Sequence, residues 1–206
     1  MKKKIFVSMA ATFIIGTASL GSAAAVYSDL SDGHWAYAAV VELTDEGILS
    51  PYDDGTFRGE KNASRYDMAV IFANLCDKAK LPEAALMQPY VDLAADESYR
   101  DSVTIVTKCG IMSGYGDKTF RGENPITRFD LALMLAKYMR AANLAADSSG
   151  GEVVFTDVPA DHWAYADVKL VYDNGLMEGY GDETFRGSKT ITRYEVAQII
   201  AKLLQI

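Results

Sequence analysis

Cysteine and histidine are scarce in this chain, with two of each among 206 residues. Metal centres and nucleophilic catalytic sites usually depend on these side chains at short, characteristic spacings. His34 and His162 each stand alone, with no second histidine or cysteine at ligand spacing. The sequence therefore predicts neither a metal site nor a cofactor.

Clusters of basic residues are also missing after the first four residues. Lysine and arginine number 20 against 28 aspartates and glutamates, which gives a formal net charge of −8. Nucleic-acid binding depends on grouped cations that neutralise phosphates. The sequence therefore excludes nucleic acid as a partner.

Long apolar runs are absent except near the N-terminus. Lys2, Lys3 and Lys4 precede an apolar run at 5–15 that is too short to span a bilayer, and three alanines follow at 23–25. This pattern is typical of a secretory signal peptide, with a retained membrane helix as the alternative. We predict cleavage after residue 25 and an exported mature protein, located in the periplasm or at the cell wall or cell surface, that does not span the membrane. Cleavage removes three lysines and no acid, which leaves a net charge near −11.

One signature occurs three times along the chain. GYGDETFRGSKTITRYE at 179–195 is nearly repeated as GYGDKTFRGENPITRFD at 114–130 and more loosely as SPYDDGTFRGEKNASRYD at 50–67. The matching positions lie 63 and 65 residues apart, and the spacing extends upstream to Asp29, Asp92 and Asp157. Such a period indicates copies of one structural unit. We predict units at 26–80, 89–143 and 153–206, with a polar, glycine-rich linker at 144–152.

Each unit carries the pattern of two helices joined by a turn. In the third unit Ala164, Val168 and Val171 lie on one face of a first helix that ends at Gly175. A glycine- and aspartate-rich turn follows, too short for more than a brief extended segment. The sequence therefore predicts an all-α protein.

A capping box opens the second helix of each unit. Thr192 and Glu195 are three residues apart, immediately before an apolar face, so each side chain is expected to bond the other's backbone N–H. The shorter aspartate of the other units is expected to close this box less well. The predicted capping residues are Ser64, Asp67, Thr127, Asp130, Thr192 and Glu195.

An arginine follows each of these cap residues: Arg65, Arg128 and Arg193. A cation in the first turn opposes the helix dipole by up to about 1 kcal/mol, so helix stability does not explain it. A guanidinium beside free N–H groups at a helix start would bind a carboxylate or another anion. The alternative is that each arginine pairs with an acid of a neighbouring unit and locks the assembly.

These ordered motifs resemble the S-layer homology (SLH) domain over essentially the whole chain after residue 25. The resemblance implies three helix-loop-helix repeats with pseudo-threefold symmetry around a central helix bundle, and ligand grooves between neighbouring repeats. It also implies a module without catalysis that binds a cell wall glycan, either peptidoglycan or a wall-linked secondary cell wall polysaccharide. The family's conserved arginine maps onto Arg65, Arg128 and Arg193, which are therefore the predicted ligand-binding residues.

The chain departs from the common family pattern in ways that bear on the ligand. The alanine of the family's Thr-Arg-Ala-Glu signature is Tyr66, Phe129 and Tyr194 here, and Arg-Gly follows the central Phe where Pro-Asn is common. The Arg-Gly variant resembles the SLH repeats of bacteria that tether an outer membrane to peptidoglycan. Their wall can carry amine groups, whereas the commoner family partner carries acidic pyruvate ketals. Composition leaves both open.

Aromatic and acidic residues supply the other candidate contacts. Trp35 and Trp163 are candidates for stacking on a sugar ring, with plugging of the joint between helices as the alternative. Glu97-Ser98 replaces the His-Trp pair of the first helix in the second unit, so its groove is expected to be impaired or specialised. The turn aspartates Asp54, Asp117 and Asp182 are predicted to form turns or bind sugar hydroxyls rather than calcium, because EF-hand spacing is absent.

The two cysteines occupy different slots of the repeat. Cys76 lies on the predicted buried face of a second helix, whereas Cys109 lies at the end of a first helix. A disulfide between them in an exported protein requires that neighbouring units bring these slots together. The sequence favours two free thiols.

An enzyme is the rival class for an acidic protein with many carboxylates. No Ser-His-Asp or Cys-His arrangement and no phosphate-binding loop is recognisable, and three small units favour no large single pocket. The sequence therefore predicts a binding module rather than an enzyme. The remaining alternative is a structural or adaptor subunit whose repeats bind each other or another envelope protein.

Overall fold

The computed structural model of the chain describes residues 27–83, 90–144 and 155–206. The predicted signal peptide and nearly all of the predicted linker lie outside these ranges. The described residues form six helices and no strand longer than an isolated bridge, so the predicted all-α fold is confirmed. The helices are α1 (Tyr37–Asp45), α2 (Arg65–Lys78), α3 (Glu97–Lys108), α4 (Arg128–Ala141), α5 (Tyr165–Asp173) and α6 (Arg193–Leu203).

The helices fall into three pairs, one pair for each unit, which we call repeats 1, 2 and 3. A glycine ends the first helix of every pair, at Gly47, Gly110 and Gly175, with φ between 70° and 73°. In repeat 1 the next N–H, that of Ile48, donates to the carbonyl of Leu43 at 2.8 Å. This left-handed glycine cap reverses the chain and directs it into the turn.

An aspartate at the start of each repeat holds this turn in place. The Asp29 carboxylate accepts the backbone N–H groups of Phe57 at 2.7 Å and Arg58 at 2.8 Å. Asp92 and Asp157 make the corresponding bonds in the other repeats. The central phenylalanine of each turn is thereby fixed in the core, at most 1% exposed.

The repeats form a closed ring because the second helix of each packs on the first helix of the next. The packed pairs are α2 with α3, α4 with α5, and α6 with α1. At the centre, the N–H of Ala63 donates to the carbonyl of Ile191, that of Ile191 to Ile126, and that of Ile126 to Ala63, at 2.9, 3.3 and 2.9 Å. This cycle of three hydrogen bonds follows a pseudo-threefold axis.

Candidate functional site

The three signature arginines each reach across a seam between repeats. Arg65 starts α2, and its guanidinium donates to two carbonyl oxygens of repeat 2: from Nε to Phe120 at 2.8 Å and from Nη2 to Ser113 at 2.7 Å. Each arginine thus links its own repeat to the next, which matches the locking role considered above, although most of its partners are backbone carbonyls rather than acids. The equivalent bonds run from Arg128 to Phe185 (2.9 Å) and Glu178 (2.6 Å), and from Arg193 to Phe57 (2.9 Å) and the Asp67 carboxylate.

The backbone N–H groups at these helix starts are not free, so that part of the anion-site expectation is wrong. At the start of α2, the N–H of Arg65 donates to the carbonyl of Asn124 at 3.0 Å, and that of Tyr66 to the carbonyl of Gly122 at 2.8 Å. At the starts of α4 and α6, carbonyl oxygens from the loop of the neighbouring repeat accept the corresponding two N–H groups. Any anion binding there depends on the guanidinium groups alone.

The capping residues form closed boxes at all three second helices. The N–H of Asp67 donates to Ser64 Oγ at 3.1 Å, and the N–H of Ser64 donates back to the Asp67 carboxylate at 2.7 Å. The expectation that aspartate closes the box less well is wrong, because the return bond measures 2.7 and 2.8 Å with aspartate and 2.8 Å with glutamate. The other boxes pair Thr127 with Asp130 and Thr192 with Glu195.

The turn aspartates act within their own turns. Asp54 accepts the backbone N–H of Thr56 at 3.0 Å and an N–H of Arg58 at 2.8 Å. The Thr56 and Arg58 bonds lower the pKa of Asp54 to about 2. Asp117 and Asp182 repeat this arrangement with Arg121 and Arg186, and their pKa values are also lowered to about 2.

The arginine of each turn was not singled out from the sequence as a candidate site residue. The Arg58 guanidinium lies over the Tyr52 ring at 4.0 Å, and its backbone φ is 56°. The signal was present, because Arg-Gly follows the central Phe in all three repeats. The corresponding pairs of repeats 2 and 3 are Arg121 over Tyr115 at 4.0 Å and Arg186 over Tyr180 at 4.1 Å.

Both tryptophans lie on the surface beside a seam. Trp35 is 58% exposed with its ring 5.8 Å from Tyr194, and Trp163 is 66% exposed with its ring 5.3 Å from Phe129. Indoles as exposed as these do not plug a joint between helices, so the alternative reading is not supported. Repeat 2 has Ser98 at the equivalent position.

A cleft of about 390 Å³ brings side chains of all three repeats together. Repeat 1 contributes Tyr52 and Asp53, repeat 2 contributes Ser98 and Tyr99 from the first turn of α3, and repeat 3 contributes Arg193. Because Ser98 stands where repeats 1 and 3 carry tryptophan, this cleft lacks an indole. Among the predicted site residues, Arg193, Asp54 and Asp67 line the cleft, whereas Arg65, Arg128, Trp35 and Trp163 do not.

The lining of this cleft carries more negative than positive charge. Arg193 is only 8% exposed and pairs with the Asp67 carboxylate, which also accepts a hydrogen bond from the Tyr52 hydroxyl at 3.4 Å. Burial raises the pKa of Tyr52, so this hydroxyl remains a donor at neutral pH. Asp53 is exposed and has neither a hydrogen-bond nor an ion-pair partner among the described residues. In total, four carboxylates (Asp53, Asp54, Asp67, Asp96) and two guanidinium groups (Arg58, Arg193) line the cleft.

Two further properties concern the described parts of the chain. Within residues 27–83, 90–144 and 155–206, no three His, Cys, Asp or Glu side chains are grouped so as to hold a metal ion. In the same ranges, every helix is too short or too polar to cross a membrane.

Comparison with known proteins identifies the repeated unit. The S-layer homology domain family matches at residues 26–69, 89–132 and 154–197. These three segments contain the first helix, the turn and the start of the second helix of each repeat.

Individual relatives contain similar segments within much longer chains. The S-layer protein EA1 of Bacillus anthracis is 31% identical over 203 residues, which covers 97% of this chain and 22% of that protein. The cellulosome-anchoring protein of Acetivibrio thermocellus is 28% identical over 161 residues, 76% of this chain and 35% of that protein. The outer membrane protein SlpA of Deinococcus radiodurans is 45% identical over 75 residues, 36% of this chain and 6% of that protein. The chain thus spans about a third or less of the length of these relatives.

Proposed function

The chain belongs to the S-layer homology domain family, and on this premise we propose that it is a non-catalytic module that attaches to cell wall glycan at the bacterial surface. The observation that carries the proposal is the cleft where charged and aromatic side chains of three repeats meet. Its volume of about 390 Å³ lies within the range of small-ligand sites. The names of two relatives, an S-layer protein and a cellulosome-anchoring protein, support a surface role.

Arg193 is the signature arginine that would contact a ligand in this cleft. A guanidinium has five N–H donors, and the seam bonds of Arg193 engage only its Nε and one terminal nitrogen. The remaining donors are available to a sugar hydroxyl or carboxylate. Arg65 and Arg128 would act in the same way at the other two seams. Trp35 and Trp163 supply exposed aromatic surfaces for a sugar ring beside the seams that Arg193 and Arg128 cross.

The charge of the cleft favours an amine-bearing wall polymer over one with acidic ketals. Arg58 and Arg193 each neutralise one carboxylate, which leaves Asp53 and Asp96 as uncompensated acids. A cationic ligand group gains from these charges, whereas an acidic one is repelled. Peptidoglycan or a wall polysaccharide that carries amine groups is therefore the partner we propose.

Cosedimentation of the purified chain with isolated cell walls tests the binding. Ser98→Trp introduces, at an exposed position of the cleft, the indole that repeats 1 and 3 carry at the equivalent position. We expect it to raise the bound fraction several-fold by adding a surface on which a sugar ring can stack, without changing the melting temperature. Wild-type protein that stays in the supernatant would contradict wall binding, and a Ser98→Trp variant that sediments like wild type would contradict contact of the ligand with this cleft.

A second substitution tests whether the ligand group in the cleft is positively or negatively charged. We expect Asp53→Ala to weaken wall binding by a factor of roughly 2–5, the scale of an exposed charge pair. Asp45→Ala makes the same charge change on an exposed residue outside the cleft and should leave binding unchanged. Acetylation of the wall amines should abolish binding, whereas tighter binding by Asp53→Ala would indicate an acidic ligand.

A further inference from the structure

We propose that Cys76 and Cys109 are a disulfide-forming pair that covalently joins repeat 1 to repeat 2. Cys76 lies on α2, and Cys109 is the C-cap residue of α3, the helix on which α2 packs. Both are free thiols in this structure, each thiol shifts the pKa of the other, and both line a second cleft of about 260 Å³. The sequence alone favours two free thiols, because a buried slot and a surface slot in different units meet only if neighbouring units pack them together.

The surroundings of the two thiols determine the order in which they react. Cys76 is 2% exposed, whereas Cys109 is half-buried and opens onto the cleft beside Lys80 and Glu83. Burial raises the pKa of both thiols, and Cys76 is the more deeply buried of the two. On Cys109, the hydrogen bond with Cys76 and the charge of Lys108 lower the pKa, whereas the charge of Glu83 raises it. Because the thiolate is the nucleophile, Cys109 is the residue that reacts first.

The oxidant is a disulfide. It belongs either to a small molecule or to a thiol–disulfide oxidoreductase in the compartment to which the chain is exported. The Cys109 thiolate attacks one sulfur of this disulfide, forms a mixed disulfide and releases the first thiolate. The Cys76 thiolate then attacks Cys109 Sγ and releases the second. The two cysteines together lose two protons and two electrons, and the oxidant is reduced to two thiols.

The bridge would hold the seam between α2 and α3 closed. It would link positions 33 residues apart across the connection between repeats 1 and 2, and would thereby restrict the unfolded chain. Tyr99 lies at the opposite end of α3 from Cys109, so the bridge would fasten one end of the helix that supplies repeat 2 to the larger cleft. The inference depends on the packing of the two helices and not on wall binding.

Oxidation of the full chain under defined conditions tests the proposal. Protein purified with reductant is incubated with oxidised glutathione at mildly alkaline pH, unfolded, and assayed for free thiols by alkylation and peptide mass spectrometry. We expect both thiols to disappear, a linked peptide pair containing Cys76 and Cys109, and no dimer on a non-reducing gel. The melting temperature should rise by roughly 10 °C and return to its starting value after reduction.

The matched control is Cys109→Ser, which changes the more exposed thiol and leaves the buried one in place. Its melting temperature should not respond to oxidised glutathione. Two thiols that persist in the wild type, glutathione retained on Cys109, or bridges between chains would each overturn the proposal. The readout on wild-type protein requires no variant to fold.

Discussion

At the scale of single residues, two departures from the common family pattern explain each other. The aromatic residue after each signature arginine packs on the glycine of the neighbouring repeat's Arg-Gly pair, as Tyr66 does on Gly122. A side chain at that glycine would overlap the aromatic ring. The aromatic ring therefore fits across the seam only because the facing position is glycine. The other contacts are Phe129 on Gly187 and Tyr194 on Gly59.

We expect Gly122→Ala to lower the free energy of unfolding by about 1–3 kcal/mol, because the added methyl group overpacks the seam. Gly116→Ala is the matched control, since a methyl group there meets no atom within 4 Å. Urea denaturation measures both. In a Tyr66→Ala background the cost of Gly122→Ala should shrink by about 0.5–3 kcal/mol, and strictly additive effects would contradict the coupling.

Residue type alone predicted only part of the contacts that the signature arginines make across the seams. Arg65 was recognisable as out of place in a first helical turn. Its partners, the carbonyl oxygens of Phe120 and Ser113, belong to the backbone and have no signature in the sequence. The sequence therefore indicates that these arginines contact groups outside their own helix, but it does not show which atoms.

At the scale of helices, each second helix begins with its N-terminal donors already paired. A capping box satisfies two N–H groups within the repeat, those of the cap residue and of the third helical residue, and the loop of the neighbouring repeat satisfies the two that lie between them. Packing and hydrogen bonding at one helix end thus stabilise both the helix and the seam. Unpaired donors at a buried helix end would cost free energy.

Thr127→Ala removes one such cap, and we expect it to lower the free energy of unfolding by about 1 kcal/mol. Thr127→Ser keeps the hydroxyl that accepts the N–H of Asp130 and should retain most of the stability. Thermal and urea unfolding of both variants measure the difference. Equal losses for alanine and serine would show that the methyl group, and not the hydroxyl, is what matters.

Helix ends were predictable where their signals are local. The boxes at α2, α4 and α6 span four residues each and were read from the sequence. The longer α3 was not anticipated: Asp96 accepts the N–H of Ser98 at 2.8 Å and starts this helix at Glu97. In repeat 1, His34 Nδ1 instead accepts the N–H of Ala36 at 3.2 Å, and α1 begins only at Tyr37.

At the scale of the whole molecule, the repeats are joined in a ring rather than a row. Each repeat buries its second helix on its neighbour, and α6 closes the ring on α1. The period in the sequence revealed three copies, but the copies alone do not determine whether an array closes. Closure depends on contacts such as the bond from Ile191 to Ile126, which no local pattern encodes.

Deletion of residues 153–206 should leave both α1 and α4 without their packing partners. Apolar residues of these two helices, such as Val40 and Leu135, are fully buried in the intact ring. We expect the shortened chain to self-associate and to bind a hydrophobic dye, as measured by size-exclusion chromatography with light scattering and by fluorescence. A monomeric fragment with a sharp melting transition would show that two repeats form a stable unit without the third.

The cycle of backbone hydrogen bonds through Ala63, Ile126 and Ile191 also fixes the copy number. In an open solenoid another copy adds at either end, because every terminal unit offers a vacant edge. Here each amide and carbonyl at the axis is already matched, so a fourth unit has nowhere to join. Proteins that lengthen by duplicating this unit are therefore expected to gain it as complete triplets.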